Sequence, residues 1–309
     1  MRAAVINSFG GPEVLQVIDV ATPEPRRGQV RVRIAAAAVN PVDVATAAGI
    51  MHQVGNAPAR AETGLGWDLA GTVDAVGPEV TGYAVGDQVI GILDRVGAPR
   101  GSFAEYAIAD TGQLAKAPAT ATPAEASTIP LPGLTAWQAL AALGLKAGQS
   151  LFVSGAAGTL GAFTVQLAAA RGIEVLAQGG EGDKELLRSL GAAHVIRRGE
   201  DAGEAVREIH PSGVDGAVDA AVIGIAALDT VRNGGGIAML VGTVPRLRNI
   251  TVHDILIHAD PHALAELVSL ADAGGLDLRV AGTYPLSGIA AAYERFGEGG
   301  LRGRLVLEP

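Results

Sequence analysis

Apolar residues are spaced differently in the first 110 residues and in the rest of the chain. The first part contains short runs of strand length, such as Val30–Ala37 and Phe103–Ile108, separated by glycine and proline turns. From the helix start at Thr122–Glu125 onward, apolar strands alternate with helical patterns. We therefore expect a mostly antiparallel β region followed by an α/β region with a parallel, doubly wound sheet.

The end of the chain predicts a return to the first region. Asp260-Pro261 is a helix start, and Arg304–Leu307 has the pattern of a last strand. A chain of 309 residues is long enough for about two domains. We predict one domain from residues 1–121 and 262–309, and a second domain from residues 122–261.

Residues 151–177 have the pattern of a strand, a glycine turn, a helix and a second strand. The glycines are spaced Gly155-x-x-Gly158-x-x-Gly161, with Ala156 where the standard dinucleotide fingerprint has its first glycine. Exposed N–H groups and the helix dipole favour a phosphate pair at such a helix start. The alternative is a structural turn, because a chain with 43 glycines produces such spacings by chance. The flanking strand and helix favour the dinucleotide site.

Composition excludes several classes of site and partner. Because there is no cysteine, the chain has no disulfide framework, thiolate zinc site or cysteine nucleophile. The net charge of −9 argues against nucleic acid and an anionic membrane as partners. No run of about 18 apolar residues predicts a membrane span, and no signal peptide is recognisable. We expect a soluble cytoplasmic enzyme.

Several further motifs follow one another along the whole chain: MRAAVINSFGGPEVLQV at 1–17, VNPVDVATAAG at 39–49, GWDLAGTVDAVGPEVTGYAVGDQVIG at 66–91, GSFAEYA at 101–107, LPGLTAWQAL at 131–140, LRSLGAAHVI at 187–196 and GRLVLEP at 303–309. In this order they resemble the medium-chain dehydrogenase/reductases, specifically the zinc-independent quinone oxidoreductase branch. The resemblance implies a GroES-like catalytic domain, a Rossmann domain and a homodimer. It also implies NADPH-dependent reduction of quinones or α,β-unsaturated carbonyl compounds.

The resemblance implies no catalytic metal. Zinc-dependent relatives bind the metal through cysteine and a Gly-His-Glu turn, and the corresponding turn here is Gly66-Trp67-Asp68. His258 and His262 have helical ligand spacing, but the helix start at Asp260 separates them, so their rings need not share a face. We therefore expect no metal site.

Hydride transfer to an electrophilic acceptor then needs orientation, a dry pocket and a hydrogen-bond donor.

Asn40 and His52 are the candidate catalytic residues. Asn40 resembles the family's asparagine beside the nicotinamide, where its carboxamide would donate to a substrate carbonyl or orient the cofactor. The alternative is an ordinary turn asparagine before proline. Family members often have a tyrosine shortly after the position of Gly49, and here His52 would replace it as proton donor or lie in solvent on a loop. Asp43 and Asp68 fit structural roles better than catalytic ones.

The choice of cofactor rests on the end of the second Rossmann strand. NAD-specific sites usually have Asp or Glu there, whereas this strand ends Gln178-Gly179-Gly180, which favours NADP(H). Lys184 and Arg198 are candidate cations for the extra phosphate, with plain surface positions as the alternative. Glu181 argues against this choice. With the ends of the other strands, the predicted cofactor-binding residues are Thr135, Gly155, Ala156, Ala157, Gly158, Thr159, Leu160, Gly161, Gln178, Lys184, Arg198, Ala221, Val241, Gly242, Thr243 and Arg304.

The predicted function is NADPH-dependent reduction of a quinone or enone. One alternative is an enoyl-thioester reductase of a biosynthetic pathway, which has the same fold and chemistry. Another is an NADPH-binding redox sensor without useful turnover, which the missing tyrosine favours. The expected partners are a small-molecule substrate and a second copy of the chain, with Ile250–Ile257 as a candidate interface segment. The fold itself does not fix the acceptor.

Overall fold

The structure, a computed structural model, describes residues 1–58 and 60–309. It contains two compact units. The first unit contains residues 1–131, 258–274 and 278–309, and the second contains residues 132–257 and 275–277. Each unit is described separately below.

The first unit is built mainly of strands. Its strands are β1 (Arg2–Ile6), β2 (Gln16–Asp19), β3 (Gln29–Ala38), β4 (Thr63–Gly64), β5 (Asp68–Val76), β6 (Gln88–Ile92), β7 (Tyr106–Asp110), β8 (Leu114–Lys116), β15 (Val280–Pro285) and β16 (Arg304–Glu308). Its helices are α1 (Pro41–Ala47), α2 (Ile50–Gln53), α3 (Pro123–Ala126), α9 (Pro261–Asp272) and α10 (Ile289–Gly297).

A seven-stranded sheet forms the core of this unit, in the order β15-β16-β3-β5-β6-β8 with β7 also paired to β3. The pair β15–β16 is parallel, and the other pairs are antiparallel. Along β3, Val30, Val32 and Ile34 are buried while Arg31 and Arg33 are more exposed, as expected for a strand with one face on a core. A second, antiparallel sheet has the order β2-β1-β4. The mostly antiparallel first region is therefore confirmed.

The second unit alternates strands and helices. Its strands are β9 (Ser150–Ser154), β10 (Glu174–Gly179), β11 (His194–Arg197), β12 (Val214–Asp219), β13 (Val231–Met239) and β14 (Thr251–Asp254). Its helices are α5 (Thr159–Ala170), α6 (Lys184–Ser189), α7 (Ala202–Ile209) and α8 (Ile225–Thr230), together with most of α4 (Pro130–Leu143).

These six strands form one parallel sheet in the order β11-β10-β9-β12-β13-β14. Counted from β9, this is the doubly wound 3-2-1-4-5-6 order, whose winding direction reverses between β9 and β12. All residues of β9 are buried, as expected for a parallel strand covered on both faces. The predicted doubly wound sheet is confirmed.

The limits of the units differ from the boundaries predicted at 121/122 and 261/262. Two long-range hydrogen bonds give the physical reason. The Leu131 N–H donates to Asp68 Oδ1 (2.8 Å), and the Ala259 N–H donates to Asp94 Oδ2 (2.8 Å), so both segments are held by the first unit. Gln166 Oε1 accepts from the Asp277 N–H (2.7 Å) and holds residues 275–277 in the second unit.

Two further predictions concern the residues around His52 and helices that could span a membrane. A loop was one expectation for the residues around His52, but His52 lies in the helix α2. Across the described residues, no helix combines the length and apolar character that a membrane crossing requires.

Candidate active site

The turn from β3 into α1 is fixed by the carboxyl group of Asp43. Asn40 precedes the helix, and Pro41 is its first residue, a position where the missing N–H costs nothing. Asp43 Oδ2 accepts from the backbone N–H of Asn40 (2.9 Å), while Asp43 Oδ1 accepts from the N–H of Gly66 (3.1 Å). The Asp43 carboxyl group thus joins this turn to the residues before β5.

In the Asn40 carboxamide the oxygen is the free group, whereas donation through an N–H group was one of the predicted roles. Its Nδ2 donates to Asp68 Oδ2 (2.8 Å) and to the carbonyl of Ala38 (3.2 Å), which uses both of its N–H groups. Its Oδ1 is buried and has no hydrogen-bond partner within the described residues. Of the two roles predicted for Asn40, donation to a substrate carbonyl would need an N–H group that is already engaged, whereas orientation of the cofactor stays a prediction. The partners of Nδ2 fix this assignment of nitrogen and oxygen.

Two fully buried carboxyl groups lie beside Asn40. Asp43 and Asp68 are both 0% exposed. Burial, which penalises the charged form, raises the pKa of Asp43 to about 8 and that of Asp68 to about 7. The negative charge of Asp68 contributes to the raised pKa of Asp43, and the positive charge of Arg304 opposes both shifts.

Arg304 was expected to contact the cofactor, but the structure places it in this buried cluster. It is 8% exposed, and burial lowers its pKa while Asp68 and Asp43 act in the opposite direction. Its position at the start of β16 follows from pairing of that strand with β3, which brings the end of the chain to the Asn40 turn. The hydroxyl group of Tyr293, on α10, is also buried, and its pKa is raised by burial and by Asp43.

A pocket of about 280 Å³, counting open solvent, lies against this cluster in the first unit. The space in this pocket that can hold water-sized groups is about 20 Å³, on the scale of one oxygen-sized group. Trp67, which replaces the zinc-ligand histidine of the resemblance, is 8% exposed and forms part of the wall. The other lining residues used below are Asp43, Thr46, Gly66, Arg95 and Arg100.

The imidazole ring of His52 is engaged outside this pocket. It stacks on the ring of Phe9, with centroids 5.3 Å apart and an interplanar angle of 25°. His52 Nδ1 lies 3.1 Å from the carbonyl oxygen of Ala57, so Nδ1 carries the proton in this tautomer. His52 is not among the residues that line the pocket, and it lies in α2 rather than on an open loop.

In the second unit, the predicted glycine turn lies between β9 and α5 as expected. Gly155 has a φ of +57°, which favours glycine. A Cβ atom on Gly161 would lie 2.4 Å from the Gly155 carbonyl oxygen, so only glycine lets α5 approach the turn this closely. The N–H of Ala156 is already used by the carbonyl of Gln178 (2.9 Å). Thr159 and Leu160 are the first two residues of α5, and Ala157 lies before its N-cap Gly158.

Asp219, which the sequence analysis did not select, organises the neighbouring strand end. It is fully buried, and its Oδ1 accepts from the hydroxyl of Ser154 (2.7 Å) and from the N–H of Ile223 (3.0 Å). Its Oδ2 accepts from the N–H of Gly224 (2.7 Å). Ser154 Oγ in turn accepts from the N–H of Ala221 (2.9 Å). The available signal was an acidic residue directly after the apolar residues at the end of β12.

Several of the predicted cofactor residues of this unit follow the carboxyl ends of its strands. Ala221 follows β12 and lies close to Gly155. A Cβ atom added to Gly155 would be 2.9 Å from the Cβ atom of Ala221. Residues 241–243 follow β13, with Val241 exposed and Gly242 at a φ of +73°. Thr135 is buried in α4. Carboxyl ends of parallel strands around a switch point are where dinucleotides bind.

The end of β10 carries the groups that would discriminate between the two nicotinamide cofactors. Gln178 is buried, and the carbonyl of Gly179 accepts from the N–H of Arg198 (2.6 Å). The side chains of Lys184 and Arg198 are exposed. Asp183 Oδ2 accepts from the N–H of Gly180 (2.7 Å), so this buried carboxylate is engaged by the turn itself.

The donor set required by a structural or catalytic zinc ion does not assemble in the described chain. Across residues 1–58 and 60–309, no three His, Asp or Glu side chains come together as a metal site, and the chain has no cysteine. Zinc needs about three protein ligands even at an open catalytic site. The residues present do not fit this metal, and no step below uses one.

Comparison with known proteins identifies the fold. Residues 26–119 match the alcohol dehydrogenase GroES-like domain, and residues 190–307 match the family described as zinc-binding dehydrogenase. The chain is 34% identical to 2-methylene-furan-3-one reductase from Solanum lycopersicum over 251 residues, covering 79% of this chain and 63% of that protein. It is 30% identical to a quinone oxidoreductase from Lama guanicoe over 329 residues, covering 99% and 97% of the two chains.

A mycobacterial protein solved in complex with NADPH has the same architecture. It superposes with a TM-score of 0.85 at 27% identity, and the match covers 100% of both chains. Together with the near-complete match to the quinone oxidoreductase from Lama guanicoe, this likeness confirms the resemblance found in the sequence. The chain belongs to the quinone oxidoreductase type of medium-chain dehydrogenase/reductases.

Proposed function

We propose that this protein is an NADPH-dependent reductase that transfers hydride to a small quinone or α,β-unsaturated ketone without a metal. The observation that carries the proposal is the glycine turn at the switch point of the parallel sheet, where Gly161 lies against the backbone of Gly155. The names of the relatives, a quinone oxidoreductase and a furanone reductase, support the acceptor class.

Residues of the second unit would bind the cofactor, and residues of the first unit would bind the acceptor. In the second unit, the N–H groups at the start of α5 would hold the pyrophosphate, and the loops after β12 and β13 would hold the rest of the cofactor. When bound, the nicotinamide supplies the hydride. In the first unit, the pocket beside Asp43 and Trp67 would orient the acceptor and exclude water.

Selectivity for NADPH would come from Lys184 and Arg198. No carboxylate follows β10 directly, and Asp183 is occupied by the N–H of Gly180. Arg198 is placed by its backbone bond to Gly179, whereas the neighbouring Arg197 pairs with Glu200 (3.1 Å). A guanidinium on a dianionic phosphate forms strong, charge-assisted hydrogen bonds.

The test is oxidation of NADPH and, separately, of NADH by 1,4-benzoquinone and by a small enone, followed by nicotinamide absorbance. We expect turnover that prefers NADPH. Arg198→Met should raise the KM for NADPH by about 10- to 100-fold, the range for a charged hydrogen bond, and leave that for NADH unchanged. Arg197→Met is the matched control and should change neither. Tight NADPH binding without turnover of any acceptor would instead support the redox sensor.

The observed charges do not favour the carrier-linked thioester. Arg95 and Arg100 line the pocket, but they pair with Asp110 (3.0 Å) and Glu62 (2.6 Å). Little positive charge is then left for a phosphorylated carrier arm. A small neutral acceptor fits this pocket better.

The proposed homodimer would use the edge of the parallel sheet. The strand β14 pairs only with β13 in the described chain, and Leu256, just after it, is 81% exposed. An unpaired strand edge is a template for pairing with a second copy. Light scattering of the wild type and of Leu256→Asp tests this: a dimer that the substitution dissociates is expected.

A further inference from the structure

Reduction of a quinone or enone by hydride needs a proton as well. This inference rests on the function proposed above. Hydride adds two electrons to the acceptor and leaves a negative charge on its oxygen, so the product forms only when that oxygen gains a proton. His52 is engaged by Phe9 and Ala57 outside the pocket, and no tyrosine is among the described residues that line it. The proton therefore has to come from another group.

We propose that Asp43 donates this proton to the oxygen of the acceptor seated in the pocket. Asp43 lines the pocket, and so does Thr46, three residues further along the same helix. Its Oδ1 accepts from the backbone N–H of Gly66, another lining residue, at 3.1 Å. The pocket's space of about 20 Å³ for water-sized groups accepts one oxygen-sized group, and a carbonyl oxygen is such a group.

The surroundings of Asp43 suit a carboxyl group that gives up a proton and takes it back. Burial and the charge of Asp68 on β5 keep it protonated near neutral pH. Once ionised, the carboxylate keeps the hydrogen bonds from the N–H groups of Asn40 and Gly66 and the attraction of Arg304 on β16. Tyr293 on α10 is the other titratable group influenced by Asp43, and its raised pKa keeps it neutral. Arg95 and Arg100 complete the charged groups around the pocket.

The atoms and electrons of the step balance. A bound nicotinamide would supply the hydride, which carries both electrons to the acceptor carbon. The O–H bond of Asp43 breaks, and a new O–H bond forms on the acceptor oxygen, giving a quinol or an enol that becomes the ketone. Solvent then returns a proton to the Asp43 carboxylate.

The test compares the wild type with Asp43→Asn, which keeps the shape but has no proton to give. General acid catalysis contributes about 100- to 10,000-fold, so kcat should fall by at least about 100-fold. In the wild type, kcat should fall as the pH rises through about 8, where Asp43 loses its proton, and should show a solvent deuterium isotope effect. Asp68→Asn, at an equally buried carboxyl that does not line the pocket, removes a negative charge that raises the pKa of Asp43, so the alkaline fall should move to lower pH while the isotope effect remains.

If Asp43→Asn does not fold, a measurement on the wild-type protein without cofactor still tests the inference. The infrared band of a protonated carboxyl in the wild-type protein should disappear with the same alkaline midpoint as kcat. Turnover by Asp43→Asn with an unchanged pH profile would overturn the role of Asp43 and leave the reductase function standing. The role of Asp43 is equally overturned if wild-type kcat does not fall where that infrared band is lost. Failure of the wild type to reduce any acceptor would overturn both.

Discussion

The carboxamide of Asn40 donates through Nδ2 to Oδ2 of Asp68, 28 residues further along the chain, at 2.8 Å. Both side chains are fully buried, and the other oxygen of Asp68 accepts from the N–H of Leu131 at 2.8 Å. One carboxyl group thereby fixes the orientation of the candidate catalytic amide and anchors the residue at which the first unit ends.

Replacing Asp68 with alanine should destabilise the first unit. The substitution removes the acceptor of Asn40 Nδ2 and one acceptor of the Leu131 N–H, and each buried group left without its partner costs about 1–3 kcal/mol. We expect a clear fall in the thermal midpoint, measured by circular dichroism. Asp19→Ala, at an exposed carboxylate of β2, should leave the midpoint unchanged. An equal effect of the two substitutions would contradict the role given to Asp68.

Replacing Gly161 with alanine should disrupt the dinucleotide turn. The new methyl group would lie 2.4 Å from the Gly155 carbonyl oxygen and 2.6 Å from Ala156 Cα, and both are backbone atoms that yield only if the turn moves. Overpacking of this kind costs about 1–3 kcal/mol. We expect weaker NADPH binding in a calorimetric titration together with a lower thermal midpoint.

Gly297 offers the control for this substitution. It lies at the end of α10, and a Cβ atom there would meet nothing within 4 Å. Gly297→Ala should keep NADPH affinity unchanged and should not lower the thermal midpoint, because alanine is the better helix former. Retained NADPH affinity in Gly161→Ala would remove the dinucleotide role of the turn.

Stability should fall as the pH rises through the neutral range. The pKa values of Asp43 and Asp68 are raised from 3.8 to about 8 and about 7, so between these limits the folded protein binds more protons than the unfolded chain. By linkage, the free energy of unfolding then decreases with increasing pH and levels off above about 8. Thermal midpoints across this range measure the slope.

Carboxyl groups with lowered pKa values affect the stability of the protein in a lower pH range. Asp87, whose pKa is lowered mainly by Lys116, contributes stability that is lost only as the pH falls below the ordinary carboxyl range. Asp43→Asn should therefore flatten the slope between neutral pH and about 8 and leave the acid limb unchanged. A slope that survives in this variant would show that other groups cause it.

Replacing Val222 with glycine should stabilise the second unit. Val222 has a φ of +56° in the loop held by Asp219, a conformation that a β-branched residue adopts only under strain. The side chain is 54% exposed, so little burial is lost, and relief of about 1–2 kcal/mol is expected. The thermal midpoint should rise. Val85→Gly, at a 64% exposed valine that is not among the positive-φ residues, should lower it or leave it unchanged.

Local patterns predicted much of the fold. The glycine turn, the helix starts at Thr122 and Asp260 and the alternation in β3 all depend on contacts within a few residues, and they are present in the structure. The loop expected around His52 contains a short helix in the structure. The sequence did not predict this helix, because no strong start or stop signal marks residues 50–53. The sequence did not reveal that Nδ2 of Asn40 donates to Asp68, because these two residues lie 28 positions apart in the chain.

By itself the sequence determined the two types of sheet, the position of the dinucleotide turn and the absence of cysteine ligands, because these follow from residue type and short-range spacing. Only the tertiary structure decided that Asp43, Asp68, Arg304 and Tyr293 form one buried cluster beside a pocket. Burial and the charges of distant residues set the protonation of a carboxyl group, and both arise only when strands from opposite ends of the chain pair.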